Sequence, residues 1–331
     1  MGSKVLGFLV LGTLAVSALG NQEPRTSEPR TSDSLFRFQN NFWVNLHHVV
    51  RREARRRVDK QAPTIKLEQL SESERAAWSS ALDAYATLSQ KTIFLDPQTI
   101  AINNTLTTVP DDGSPDGRGL DPNITSALIR AAPIYRAHYW VAHRQINERW
   151  IAAVQSMIAQ HGSAMAREVA KAYRVVWPAQ PIVVDASADA GPLGGYTTDG
   201  PPGTAAHTVI QSDNPEYQGE MAFEMVFHEA SHATGIFGPT LNALQREAQR
   251  QHVTLPRDLW HVLLFYTAGE LARRELGMIG DAHYMPYAYR YGVYSGGWET
   301  LRDAVVAEWQ PYLDGARTYD AAIAALVAAN Q

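Results

Sequence analysis

The chain has 331 residues, long enough for one large domain or two smaller ones. Apolar residues make up 45% of it, which excludes wholesale disorder, and a net charge of −5 argues against nucleic acid as the main partner. With no cysteine, disulfides and thiolate ligands are excluded, so a bound metal must be held by His, Asp or Glu.

Residues 1–20 read as a secretory signal. Lys4 precedes the mostly apolar run Val5 to Leu19, and Ala18-Leu19-Gly20 is a small-x-small cleavage site. The run is too short for a good membrane span, so no stable membrane insertion is expected after cleavage, and the expected location is secreted or periplasmic. An uncleaved N-terminal anchor is the alternative. Residues 21–34 carry Glu-Pro-Arg-Thr-Ser twice and read as a flexible leader.

From Leu35, the residues Phe36, Phe38, Phe42, Trp43, Leu46, Val49 and Val50 fit a helix that continues into Arg51–Lys60. His47 and His48 are adjacent, so they cannot share a helix face as two metal ligands would, and they read as packing or hydrogen-bonding groups. The arginine run from Arg51 to Arg57 reads as a solvated face, with membrane or substrate contact as the alternative. Ser71-x-x-Glu74 opens a helix to about Gln90, with Trp78, Leu82, Tyr85 and Leu88 as its inner stripe. Residues 110–122 form a loop whose Asp-Gly steps lack the spacing and closing Glu of a calcium loop. Asn103 and Asn123 begin glycosylation sequons. Pro133 starts the longest helical pattern, Ile134 to about Gln160, in which His138 and His143 lie off the metal spacing. A further helix, Ser163–Val175, ends before Trp177-Pro178.

The period then changes. Ile182-Val183-Val184-Asp185 is short and β-branched, a strand; a Gly-rich loop follows from Gly191 to Gly203, and residues 206–212 make a second strand. Next comes a Pro-free helix, Glu220 to Thr234, flanked by Gly219 and Gly235. It carries His228-Glu229-Ala230-Ser231-His232. Two histidines four apart sit one turn apart on one face, within reach of a single Zn²⁺. Glu229 is then placed as general base for a metal-activated water.

Three protein ligands are the usual count for catalytic zinc. The downstream position where a third His would complete His-x-x-x-His-x-x-Gly-x-x-His is Gly238. A second helix, Leu259 through Leu276, offers Glu270 in an apolar setting, where a buried acid needs a cation. Arg274, one turn on, is the alternative partner for that acid. Glu275 is a rival ligand and Asp281 a weaker third choice. His261, nine positions before Glu270, falls on the opposite face and is assigned no role.

On His228-Glu229-Ala230-Ser231-His232 and Glu270, over about residues 181–295, the chain resembles the gluzincin clan of zinc metallopeptidases, as a divergent member. Gly269-Glu270 stands where Asn-Glu is usual in that clan. The resemblance implies a zincin-like core and an edge strand, here 206–212, that binds extended peptide. It also implies a Tyr or His downstream of the glutamate ligand that stabilises the oxyanion, for which Tyr289 and His283 are the choices.

The expected fold is α+β, predominantly α: a helical region over 35–176 and a zincin-like catalytic region over 177–331, packed as one unit. The expected function is a secreted zinc metallopeptidase acting on peptide or protein. A zinc hydrolase of another amide or ester, or a non-catalytic protein on the same scaffold, are the alternatives.

Overall fold

The computed structural model describes residues 35–88, 96–200, 204–279 and 282–330. The signal, the leader and Asp281 lie outside the described residues. Among the described residues no helix is long and apolar enough to cross a membrane.

The chain opens on a strand, β1 (Phe36–Gln39), rather than on the expected helix. The alternation of Phe36 and Phe38 is a two-residue period, and the helix starts only where a cap permits it. That cap is Asn41, in extended backbone, whose side chain accepts the Val44 N–H and launches α1 (Phe42–Val58). The capping box of Ser71 and Glu74 opens α2 (Glu72–Ala86) as expected. Asp96 and Asp121, each followed by a proline at the first helical position, cap α3 (Pro97–Leu106) and α4 (Pro122–His138). The single long helix expected from Pro133 is two helices, because the stronger start signal at Asp121-Pro122 leaves Pro133 inside α4. The chain then breaks at Tyr139 before α5 (Trp140–Met157). One π-helical turn, Ile158–Gly162, leads into α6 (Ser163–Tyr173).

Three more strands, β2 (Ile182–Ser187), β3 (Gly195–Thr198) and β4 (His207–Gln211), complete a sheet of order β1-β2-β4-β3. β1, β2 and β4 are parallel; β3 lies antiparallel to β4, with Tyr196 opposite Val209. The 206–212 strand is therefore internal, not the expected edge. The edges are β1 and β3, and β3 emerges from the Gly-rich segment, whose glycines mask the strand preference of Tyr196, Thr197 and Thr198. Every residue of β2 is buried, as a strand covered on both faces must be. Ile182, Val184, Ala186 and Ile210 face one apolar core with the later helices. Tyr196 and Val209 face a second core built with α1, α2 and α4. Because β1 pairs with β2, the two halves of the chain share one sheet.

The remaining helices are α7 (Glu220–Ser231), α8 (Gly238–Gln251), α9 (Leu259–Leu276), the short α10 (Tyr287–Arg290), α11 (Glu299–Leu313) and α12 (Tyr319–Ala328). A two-residue hairpin, β5 (Met278–Ile279) with β6 (Ala282–His283), follows α9. The fold is α+β and predominantly helical.

A buried polar knot ties the sheet to the first half of the chain. Asp185, fully buried on β2, accepts from Gln39 Nε2 at 2.8 Å, Thr107 Oγ1 at 2.7 Å, His207 Nε2 at 2.7 Å and the Asn41 N–H at 3.3 Å. Asn103 Nδ2 donates to His207 Nδ1 at 2.9 Å, which leaves the His207 proton on the nitrogen facing Asp185. The first sequon asparagine is thus part of the interior, while Asn123 is exposed. Removing the carboxylate takes the acceptor from four donors, two of them on the buried residues Asn41 and His207. Asp185→Ala should lower the unfolding free energy by about 3–5 kcal/mol, read as a shifted midpoint in urea denaturation.

Candidate metal centre

Helix α7 forms because its twelve residues contain no proline and no β-branched run, and it is held because it is buried on every side. Its last turn carries His228 and Glu229, and His232 caps it. Helix α9 packs across α7 and presents His261 from its first turn. One ring nitrogen from each of His228, His232 and His261 lies within 4.8 Å of the others. His228 Nε2 and His232 Nε2 are 3.3 Å apart. Two nitrogens bound tetrahedrally at about 2.0–2.1 Å from one ion would stand about 3.3 Å apart, so this pair has the spacing of two ligands of one metal.

Three features of the chain's own atoms fit a cation here. Burial, and then the neighbouring imidazoles, hold His228 well below the ordinary histidine range. Burial and the His261 ring bring His232 down to about 3, and burial brings His261 down to about 4. Neutral imidazole is the form that binds metal. Glu229 Oε2 is buried with no hydrogen-bond partner, and burial alone pushes that carboxyl up to about 8. A dication within reach would reverse that shift. Finally, the rings are walled by aromatics. Phe265 lies 3.8 Å from the His228 ring centre and 4.8 Å from that of His261, and Trp260 stacks on His261 at 4.8 Å. Trp298 closes on His261 at 5.5 Å.

The residue gathered with the two histidines is His261, not the expected Glu270. Glu270 stands nine residues after His261, so it is displaced by about 13.5 Å along the helix and by half a revolution around it. Its carboxylate is bound by Arg273 through Nε at 2.7 Å and Nη2 at 2.8 Å, and by Arg274 Nε at 2.8 Å. Burial works to raise Glu270, but these guanidinium hydrogen bonds outweigh it and hold the group below its usual value. The cations beside this acid are the two arginines. Glu275 pairs instead with His161 Nδ1 at 3.1 Å.

The two oxyanion choices are also placed elsewhere. Tyr289 packs on Tyr294 at 5.1 Å, on the Glu270 side of α9, and His283 is exposed on β6. The phenol that feels Glu229 is Tyr217. Burial, and next the Glu229 carboxylate, raise it above its ordinary value. Tyr217 donates to the Leu193 carbonyl at 3.1 Å and packs on Tyr287 at 5.5 Å, whose hydroxyl donates to Glu216 Oε2 at 2.7 Å. The Asn214-Pro215 turn before α7 is the signal that holds this residue beside the helix.

β3 passes directly beside Glu229. A Cβ built on Gly195 would lie 2.7 Å from Glu229 Oε1, so only glycine allows the strand this close. Thr197 Oγ1 donates to the Glu229 carbonyl at 2.7 Å and fixes the strand to the helix. One turn before His228, fully buried Glu224 accepts the Tyr287 N–H at 3.0 Å and the Tyr284 hydroxyl at 2.7 Å, anchoring α10 to α7.

The chain matches no protein-family model, no curated protein and no solved structure.

His261→Ala should abolish stoichiometric metal after dialysis, measured by elemental analysis, whereas Glu270→Ala should retain it. Loss of an inner ligand should weaken affinity beyond the roughly 10–100-fold typical of outer partners. A second expectation concerns Glu224, which burial pushes up to about 7 from 4.5. The native carboxyl holds its proton where the unfolded one has lost it. Its contribution is complete below about pH 4.5 and is lost as pH rises through 7, a decline of order 3 kcal/mol. Glu224→Gln should flatten that decline in urea titrations run across this window.

Proposed function

We propose that this protein is a zinc-dependent hydrolase of peptide bonds, with His228, His232 and His261 as the metal ligands and Glu229 as general base. The observation that carries the reading is three neutral imidazoles converging beside a buried carboxylate that has no partner of its own. Nitrogen-only ligation with no thiolate suits a catalytic ion better than a structural one, and among common ions it suits zinc. When bound, zinc supplies a Lewis acid that polarises the scissile carbonyl and acidifies water.

The chain's own groups supply the rest. Glu229 accepts the proton of the attacking water and passes it to the leaving nitrogen; a carboxyl held near neutrality by burial is suited to both halves of that task. Tyr217 is our choice for the role expected of Tyr289 or His283: its hydroxyl, which donates to the Leu193 carbonyl in this structure, would have to turn toward the developing negative charge. Phe265, Trp260 and Trp298 keep bulk water from the imidazoles. β3 is one of the sheet's two outer strands and runs past Glu229 at Gly195, so an extended peptide adding to its edge would bring its backbone to the base. A ligand set of three histidines departs from the His-His-Glu pattern of the gluzincin resemblance, which leaves the chemistry proposed and the clan unassigned. Export of the protein rests on residues 1–20 alone.

The test is digestion of casein and of a peptide library by the full chain, with and without chelator and with zinc restored. Glu229→Gln should lower turnover by about 10²–10⁴-fold while metal content is unchanged. Chelator-insensitive cleavage, or full activity in Glu229→Gln, would overturn the assignment.

A further inference from the structure

The arginine run at the end of α1 lines a cavity. Arg51, Arg52, Arg55 and Arg56 enclose about 320 Å³ together with His48, Asp59, Gln61, Asp189, Gly191 and Pro192. That volume is at the lower end of the range for small-molecule sites, about 300–1,000 Å³. The four arginines occupy positions i, i+1, i+4 and i+5, so they form two adjacent columns on one side of the helix, facing the loop between β2 and β3. This is not the solvated face that the sequence suggests: all four are half-buried, and Arg57 and Lys60, off that side, are the exposed ones.

The lining itself carries four guanidinium groups against two carboxylates, Asp59 and Asp189. Arg52 reaches Asp189 at 3.3 Å and buried Glu53 at 3.2 Å, and Arg55 makes only a long, exposed pair with Asp59 at 3.8 Å. Arg56 donates to a neutral acceptor, the Ala62 carbonyl, at 2.7 Å. Arg51 is itself engaged, and the Asp96 carboxylate, outside the lining, also acts on it. His48 adds no balancing negative charge; its Nε2 is engaged by the Tyr196 hydroxyl at 2.9 Å. A basic last turn complements the helix dipole, which accounts for Arg55 and Arg56 but not for Arg51 and Arg52, further from the helix end. Burying part of several like charges together is unfavourable unless an anion joins them.

We propose that this cavity is a second binding site, on the opposite face of the sheet from the histidines, for a small molecule bearing a phosphate or carboxylate group. The planar guanidinium forks of Arg55 and Arg56 at the mouth, with Arg51 and Arg52 behind, suit two or more oxygens of one anionic group. The proposal stands independently of the metal centre.

The test is isothermal titration of the full chain with inorganic phosphate and, separately, with succinate, at fixed ionic strength set by chloride. Wild type should bind at least one probe saturably at one site per chain. Phosphate alone would identify a phosphate-bearing ligand, and succinate alone a carboxylate. Arg55→Gln with Arg56→Gln should weaken binding at least tenfold, while Arg144→Gln, an exposed arginine outside the cavity, should leave it unchanged. If the double variant fails to fold by circular dichroism, the single variants, each at the rim, give the same reading with a smaller loss. Absence of saturable binding by both probes, retention of binding without the rim arginines, or loss of binding in His261→Ala would overturn the site.

Discussion

The crossing of α7 and α9 is the constraint on which the rest depends. Two helices can approach this closely only where side chains between them are flat or absent. Flat rings meet at one end, where Phe265 lies against His228 and Trp260 against His261. Near the other end, Gly269 leaves room: a Cβ there would fall 2.7 Å from Pro286 and 3.2 Å from Glu224 Oε1. The imidazoles converge because the crossing point coincides with the last turn of one helix and the first turn of the other. Both helices are buried nearly all round, so neither can rotate to relieve the three neutral rings without breaking the core.

Buried acids show what is unusual about the centre. Among the described residues the buried carboxylates are Glu53, Asp185, Asp189, Glu224, Glu229 and Glu270. Five are supplied with donors: Glu53 and Asp189 by Arg52, Asp185 by its four-donor knot, Glu224 by Tyr284 and the Tyr287 N–H, and Glu270 by two arginines. Glu229 is the exception, with a buried oxygen left without a donor. A buried unpaired carboxyl costs a few kcal/mol, which the fold avoids at the other five. The Glu229 carboxyl lies beside β3, one of the sheet's edge strands.

The sheet divides the molecule's chemistry as well as its core. On one face α7 and α9 carry the histidines; on the other, α1 carries the arginine cavity. One stretch of chain borders both. Asp189, Gly191 and Pro192 line the cavity, Leu193 accepts from Tyr217, and Gly195 meets Glu229. The histidine cluster and the arginine cavity thus border one stretch of seven residues from opposite faces of the sheet.

How much of this the chain announces depends on the range of the interaction. The His228-Glu229-x-x-His232 pair, the capping box at Ser71, the α9 span and the predominance of helix were all legible, because each is fixed by residues within a turn or two of one another. β1 is hidden because Phe36 and Phe38 run on into the helix that follows, and β3 because Gly194 and Gly195, which lie against Tyr217 and Glu229, carry no strand signal. A buried acid needs a cation, and for Glu270 two arginines within one turn supply it locally. The helical period sets His261 and Glu270 on opposite faces. Which face meets α7 was not written in that period, since α9 is apolar on both sides. Local spacing can say that two residues share a helix face; only the packing of one helix on another decides which face finds a partner, because that contact joins residues far apart in the chain through forces that carry no short-range pattern.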